Sequence, residues 1–146
     1  MVFLVDTNVL LRSAEPDHPM YPVAVRAIET LIADGESLVV ALQNMAELWN
    51  VATRPVDKNG LGLTIEDAKA ELIRLETLFR VLPETTNSYL EWKYLVSTYR
   101  IQGVKAHDAR LVAVMMANQI TKILTFNTSD FTRYPGIEAI HPGEIA

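Results

Sequence analysis

The chain has 146 residues, 49% apolar and 21% charged, which suits one globular domain with a real core and is short for two. It has no cysteine, so a disulfide framework, a thiolate metal site and a cysteine nucleophile are excluded. Its 13 basic and 18 acidic residues give a formal charge of −5. That argues against generic nucleic-acid binding by phosphate neutralisation, but not against an enzyme that gathers carboxylates around a cation. No apolar run reaches the length of a membrane span, and the first residues lack the pattern of a signal peptide, so the cytoplasm is the expected location.

VFLV at 2–5 is wholly apolar and ends at Asp6, as in a strand buried on both faces. Asp6-Thr7-Asn8 turns the chain into a short segment at 9–12, and the prolines of 15–19 mark a loop. Val23, Ala24, Ala27, Ile28, Leu31 and Ile32 share one helical face, with Gly35 placed to stop the helix. LVVA at 38–41 is a second strand, and 43–53 a second helix closed by Arg54-Pro55. The stretch 54–63 is read as the mobile loop. Thr64 to Asp67 opens a third helix, with Asp67 as a capping-box acid and Leu72, Leu75, Leu78 and Phe79 on its buried side.

VLP at 81–83 predicts a brief third strand, and Thr86 or Asn87 is expected to cap a helix running to about Tyr99. Lys105 to Asp108 leads into another helix, with Ala109, Val112, Ala113, Met116 and Ala117 on one stripe. KILTF at 122–126 is a fourth strand, 127–131 a turn or short helix, and IEAI at 137–140 an edge strand. Strands alternating with helices predict a single three-layer α/β domain over 1–146, with a central, mainly parallel sheet.

Four acids stand beside these apolar runs: Asp6, Glu47, Asp108 and Asp130. In an open α/β sheet, ligands bind beyond the carboxyl ends of the strands, and each acid has a route to that edge. Clustered carboxylates repel one another and persist where a cation neutralises them. Hard divalent ions prefer such oxygen ligands, and they can activate water against a phosphodiester without a protein nucleophile. Asp6 and Asp108 are the best ligand candidates, Glu47 completes the set, and Asp130 is a further ligand or an outer acid. Asn8, Thr125 and Asn127 are placed to orient ligands. Taken singly, each acid is as readily a helix cap or a solvated side chain; the set of four, mapping to one side of a sheet, is the specific signal.

These residues resemble the PIN-domain family, in particular its VapC-like toxin ribonucleases. VFLVDTNVLL at 2–11, Glu47 within ALQNMAELWNV, Asp108 within KAHDARLVAVM and Asp130 within ILTFNTSDFTRYPGI follow that family's order over essentially the whole chain. Gln43 and Asn44 depart from the serine-like residues expected ahead of the second acid. The resemblance implies a compact α/β/α domain and a Mg²⁺- or Mn²⁺-dependent endoribonuclease, with Asp6, Glu47, Asp108 and Asp130 as the catalytic, metal-binding set. It implies RNA as substrate, inhibition by a cognate VapB-like antitoxin, and a homodimer. The family also includes non-toxin nucleases acting in RNA processing or on DNA, and a non-catalytic acidic regulator is the alternative from outside enzymology. A dehalogenase-like phosphatase needs a second acid two residues after Asp6, where this chain has Asn8.

Arg12, Lys105, His107 and Arg110 are candidate RNA contacts, although a solvated surface role is at least as plain for each. Trp49, Tyr89, Trp92, Tyr94 and Tyr99 invite base stacking, but helical spacing favours packing or a protein interface.

Overall fold

The computed structural model describes residues 1–146. Strands β1 (Val2–Val5), β2 (Ser37–Ala41), β3 (Arg80–Leu82), β4 (Lys122–Leu124) and β5 (Glu138–Ile140) form one sheet in the order β3-β2-β1-β4-β5. Every pairing is parallel. Helices α1 (Thr7–Ser13) and α2 (Tyr21–Ala33) link β1 to β2, and α3 (Leu42–Thr53) and α4 (Ile65–Leu78) link β2 to β3. Helices α5 (Thr86–Thr98) and α6 (Lys105–Ala117) then carry the chain back to β4.

Parallel crossovers are right-handed almost without exception. The steps from β1 to β2 to β3 run in one direction, so their helices fall on one face of the sheet. The return to β4 reverses direction, so α5 and α6 fall on the other. Two cores follow from this. Phe3, Val5, Leu38, Val40 and Leu124 meet Val9, Leu10, Ile28, Leu48 and Leu75 in the first. Leu4, Val39, Ala41 and Ile123 meet Leu95, Leu111, Val112, Met115 and Phe131 in the second. Both alternations of β1 and β2 are therefore apolar, which is why they read as unbroken apolar runs. The architecture is the expected three-layer α/β/α domain.

Local details differ from the sequence reading in several places. At α4, Thr64 Oγ1 accepts from the Asp67 N–H at 3.0 Å, but the Asp67 side chain makes no return bond, so the capping box is not closed. On α2, Ile32 is 42% exposed. β4 ends at Leu124 rather than Phe126, because the Phe126 N–H leaves the ladder and donates to Asn8 Oδ1 at 3.1 Å. The cap of α5 is Thr85, not Thr86 or Asn87. Thr85 Oγ1 accepts from the Ser88 N–H at 3.1 Å, and Ser88 Oγ accepts from the Thr85 N–H at 3.0 Å. Starting from Thr86 or Asn87, the third residue on is Tyr89 or Leu90, neither of which can close this reciprocal box at that spacing. On α4, Leu75 and Phe79 are buried as expected, but Leu78 is 37% exposed.

The 54–63 loop folds back onto the end of α3. The Leu61 and Leu63 N–H groups donate to the carbonyls of Val51 and Ala52 at 2.9 and 2.8 Å, and that of Gly62 to Arg54 at 2.9 Å. These bonds tether the loop to the helix end. Gly60 is required there by close approach: a Cβ at that position would lie 1.9 Å from the Arg54 carbonyl oxygen.

Candidate active site

The strand order reverses between β1 and β4, the kind of crevice in which open α/β sheets bind ligands. The register pairs Val5 with Leu124, so the next residues, Asp6 and Thr125, leave the sheet side by side. Asp6 is also the N-cap of α1, its Oδ1 accepting from the Thr7 N–H at 2.8 Å. Its Oδ2 accepts from the Thr125 hydroxyl at 2.9 Å and from Asn8 Nδ2 at 3.4 Å. Thr125 Oγ1 in turn accepts from Asn8 Nδ2 at 3.3 Å and from the Asn127 N–H at 3.0 Å. Asn8 and Thr125 thus touch Asp6 as the sequence suggested, whereas Asn127 takes part through its backbone and its side chain is exposed.

Burial pushes the Asp6 carboxyl up to about 6, against the lowering effect of the Thr125 and Thr7 hydrogen bonds; the negative charges of Glu47 and Asp108 add to the rise. Asp108 lies in the first turn of α6. Its carboxyl is raised first by burial and then by Asp130, with Lys105 opposing and Glu47 adding to the rise. The four acids are therefore linked electrostatically: Asp6 with Glu47 and Asp108, and Asp108 with Asp130. Glu47 is the exposed member, one turn into α3.

Two buried amides at the start of α3 fix these elements relative to one another. Asn44 is 0% exposed; its Oδ1 accepts from the Ala41 N–H at 2.8 Å and its Nδ2 donates to Thr7 Oγ1 at 3.1 Å. Gln43 Nε2 donates to the His107 carbonyl at 3.0 Å. Trp92 Nε1 donates to the neighbouring carbonyl of Ala106 at 2.9 Å, so the first turn of α6 is held from both α3 and α5. The sequence marked Gln43 and Asn44 only as departures and Trp92 as packing. A hint for Asn44 was available, since a short polar side chain just inside a helix after a buried strand is placed to satisfy the entering backbone.

The cationic candidates diverge. Lys105 Nζ lies 2.8 Å from Asp130 Oδ1 and 4.0 Å from Asp108 Oδ2, and the Asp130 hydrogen bond holds its pKa above the usual lysine value. Arg12 pairs with Glu15, and Arg110 with Glu84. His107 is exposed. A cleft of about 530 Å³ runs beside Glu47 between α3 and α6, bordered by Gln43, Asn50, His107 and Arg110.

The donor set is oxygen-only, and Asp6 is a part-buried carboxylate whose charge no cationic side chain meets. Both features fit a hard divalent ion. No three of the chain's His, Asp and Glu side chains are grouped to hold one ion as they stand. The residues form a preassembled charge rather than a closed coordination cage, and Glu47 is its exposed member.

A family model described as PIN domain matches residues 3–137. The chain belongs to the PIN domain family. Solved structures agree at the level of the PIN fold. VapBC-1 from nontypeable Haemophilus influenzae aligns with a TM-score of 0.72 at 16% identity, covering 99% of this chain and 100% of that one. FitAcB from Neisseria gonorrhoeae aligns with a TM-score of 0.68 at 20% identity, covering 99% of each chain. VapC20 from Mycobacterium tuberculosis, described as a sarcin–ricin loop cleaving toxin, aligns with a TM-score of 0.60 at 22% identity over 84% of this chain and 87% of that one. No curated protein matches the chain by sequence. In this PIN domain the four predicted acids come from the end of β1, from α3, from α6 and from the turn after β4, and they gather at one edge of the sheet.

Proposed function

We propose that this PIN domain is a divalent-metal-dependent endoribonuclease and the toxin of a VapBC-like toxin–antitoxin pair. The observation that carries the chemistry is the placement of Asp6 beside Thr125 at the switch point of the sheet, with Asp108 and Asp130 meeting at Lys105 and Glu47 one turn into α3. Asp6, Asp108 and Glu47 would hold Mg²⁺ or Mn²⁺, with Asp130 as a further or outer acid. When bound, such an ion polarises a phosphate and lowers the pKa of an attacking water. Asn8 and Thr125 hold one Asp6 oxygen in place. Asn44, Gln43 and Trp92 fix the helix starts that carry the other acids. Hydrolysis by activated water leaves a 5′-phosphate and a 3′-hydroxyl.

The toxin assignment draws support from the neighbours, several of which were solved as VapBC or toxin–antitoxin complexes. A cognate VapB-like antitoxin is the expected partner, and RNA the expected substrate, as the sarcin–ricin activity of VapC20 suggests. Homodimerisation has its own support in α5, where Tyr89, Leu90 and Tyr94 are each more than half exposed.

The deciding experiment incubates wild type and Asp108→Asn with structured total RNA in Mg²⁺, Mn²⁺ or EDTA and maps the new ends. Discrete cuts bearing 5′-phosphates are expected only from wild type with metal. Equal cutting by the folded Asp108→Asn protein would remove Asp108 from the machinery. Cutting of single-stranded DNA in place of RNA would replace the substrate assignment.

A further inference from the structure

We propose that Lys105 is a built-in cation of the acidic centre, and that its ammonium limits the centre to a single divalent ion. The inference rests on the metal-dependent reading above. Lys105 is the first residue of α6, one turn ahead of Asp108. Its ammonium lies 2.8 Å from Asp130 Oδ1 and 4.0 Å from Asp108 Oδ2. No other Lys or Arg forms an ion pair with any of the four acids. Arg133 is near enough to Lys105 to repel it, which adds to the positive field on this side.

The centre is consequently asymmetric. On one side, Asp6 and Glu47 have no counter-charge from the protein. On the other, Asp130 Oδ1 and Asp108 Oδ2 already share the Lys105 ammonium. Two-metal phosphodiesterases place their ions roughly 3.5–4 Å apart, each on carboxylate oxygens. A second ion on Asp130 would either share Oδ1 with the Lys105 ammonium or sit on Oδ2 of the same carboxylate, close to that positive charge in both cases. Lysine suits such a post, being a compact point charge on a flexible stem. Unlike a metal ion, it stays tethered to the chain. Lys105 is thus a positioning residue: it neutralises Asp130 and leaves the Asp6, Glu47 and Asp108 carboxylates to attract a divalent ion.

The test counts ions rather than turnover. Metal-stripped protein is titrated with Mn²⁺, and free Mn²⁺ is followed by its paramagnetic resonance signal. Wild type and Lys105→Arg should each bind one Mn²⁺, and Lys105→Met two. Adding Asp130→Asn to Lys105→Met should return the count to one, which ties the second ion to Asp130. The Lys105 side chain is 42% exposed, so the Met variant is expected to fold, with circular dichroism as the check and Lys105→Gln as its substitute. Two ions in wild type, or one in a folded neutral variant, overturn the role of Lys105 and leave the metal reading intact. No Mn²⁺ bound by wild type overturns both.

Discussion

Asp6 caps α1 through one carboxylate oxygen and meets Thr125 and Asn8 through the other. One side chain thereby ends a strand, starts a helix and anchors the crevice. The arrangement carries an electrostatic penalty. Burial and neighbouring acids raise the Asp6 pKa from 3.8 to about 6. The metal-free folded state therefore holds this proton more tightly than the unfolded chain does. The group's contribution to stability is fully present below its unfolded pKa and is lost as pH rises toward and through about 6. Asp6→Asn keeps a competent cap but removes the charge. In EDTA at pH 7 the variant should be more stable than wild type, by about 1–3 kcal/mol from the size of the shift. The difference should shrink as pH falls to about 4. Thermal unfolding across that range measures it, and a wild type that outlasts Asp6→Asn at neutral pH in EDTA would contradict the assignment. Added Mn²⁺ should stabilise wild type more than the variant.

At the level of elements, the site depends on where three helices begin. The first turns of α1, α3 and α6 are stitched by Asn44 to Thr7, Gln43 to His107 and Trp92 to Ala106. Asn44 is the most exposed to loss in energetic terms because it is fully buried. Asn44→Ala strands the Ala41 N–H and removes a partner of Thr7, and each buried group left unpaired costs ~1–3 kcal/mol. In a chain of this size each kcal/mol lowers Tm by about 2–4 °C. The expected result is a fall in Tm of at least several degrees, together with weaker cleavage at temperatures where the variant stays folded, because Asp6 and Glu47 lose their common reference. A calorimetric Tm unchanged from wild type would show that α1 and α3 are fixed by packing alone. The α5 cap argues the same way about local chemistry: Thr85 prevails over Thr86 and Asn87 because only Thr85 has a Ser three residues ahead.

For the whole molecule, the −5 charge and the acidic crevice disfavour RNA until a divalent ion is bound, so the metal is expected to promote RNA binding as well as chemistry. Self-association belongs to this scale too. Leu90 and Tyr94 lie one turn apart on α5 and are each 54% exposed. Leu90→Glu is expected to leave the fold intact, since the side chain lies outside both cores, and to shift a wild-type dimer to monomer in sedimentation velocity. A wild type that is already monomeric at high concentration would remove the dimer from the functional proposal.

The sequence by itself determined the fold class, since each buried strand declares itself as an apolar run and α2, α4 and α6 as one-face patterns. It also named the four acids and the Asn8–Thr125 support, because motif order and strand-end position are properties of the chain. Other features waited for the tertiary structure. The switch point at β1–β4 depends on strand order, which periodicity does not encode. The pairing of Lys105 with Asp130 joins residues 25 apart in sequence, and the Thr125–Asp6 bond residues 119 apart. The tether of the 54–63 loop is made of backbone hydrogen bonds, to which side-chain composition is blind. The division follows from range: local patterns record what each segment buries, while contacts between distant segments exist only once the sheet has set their register.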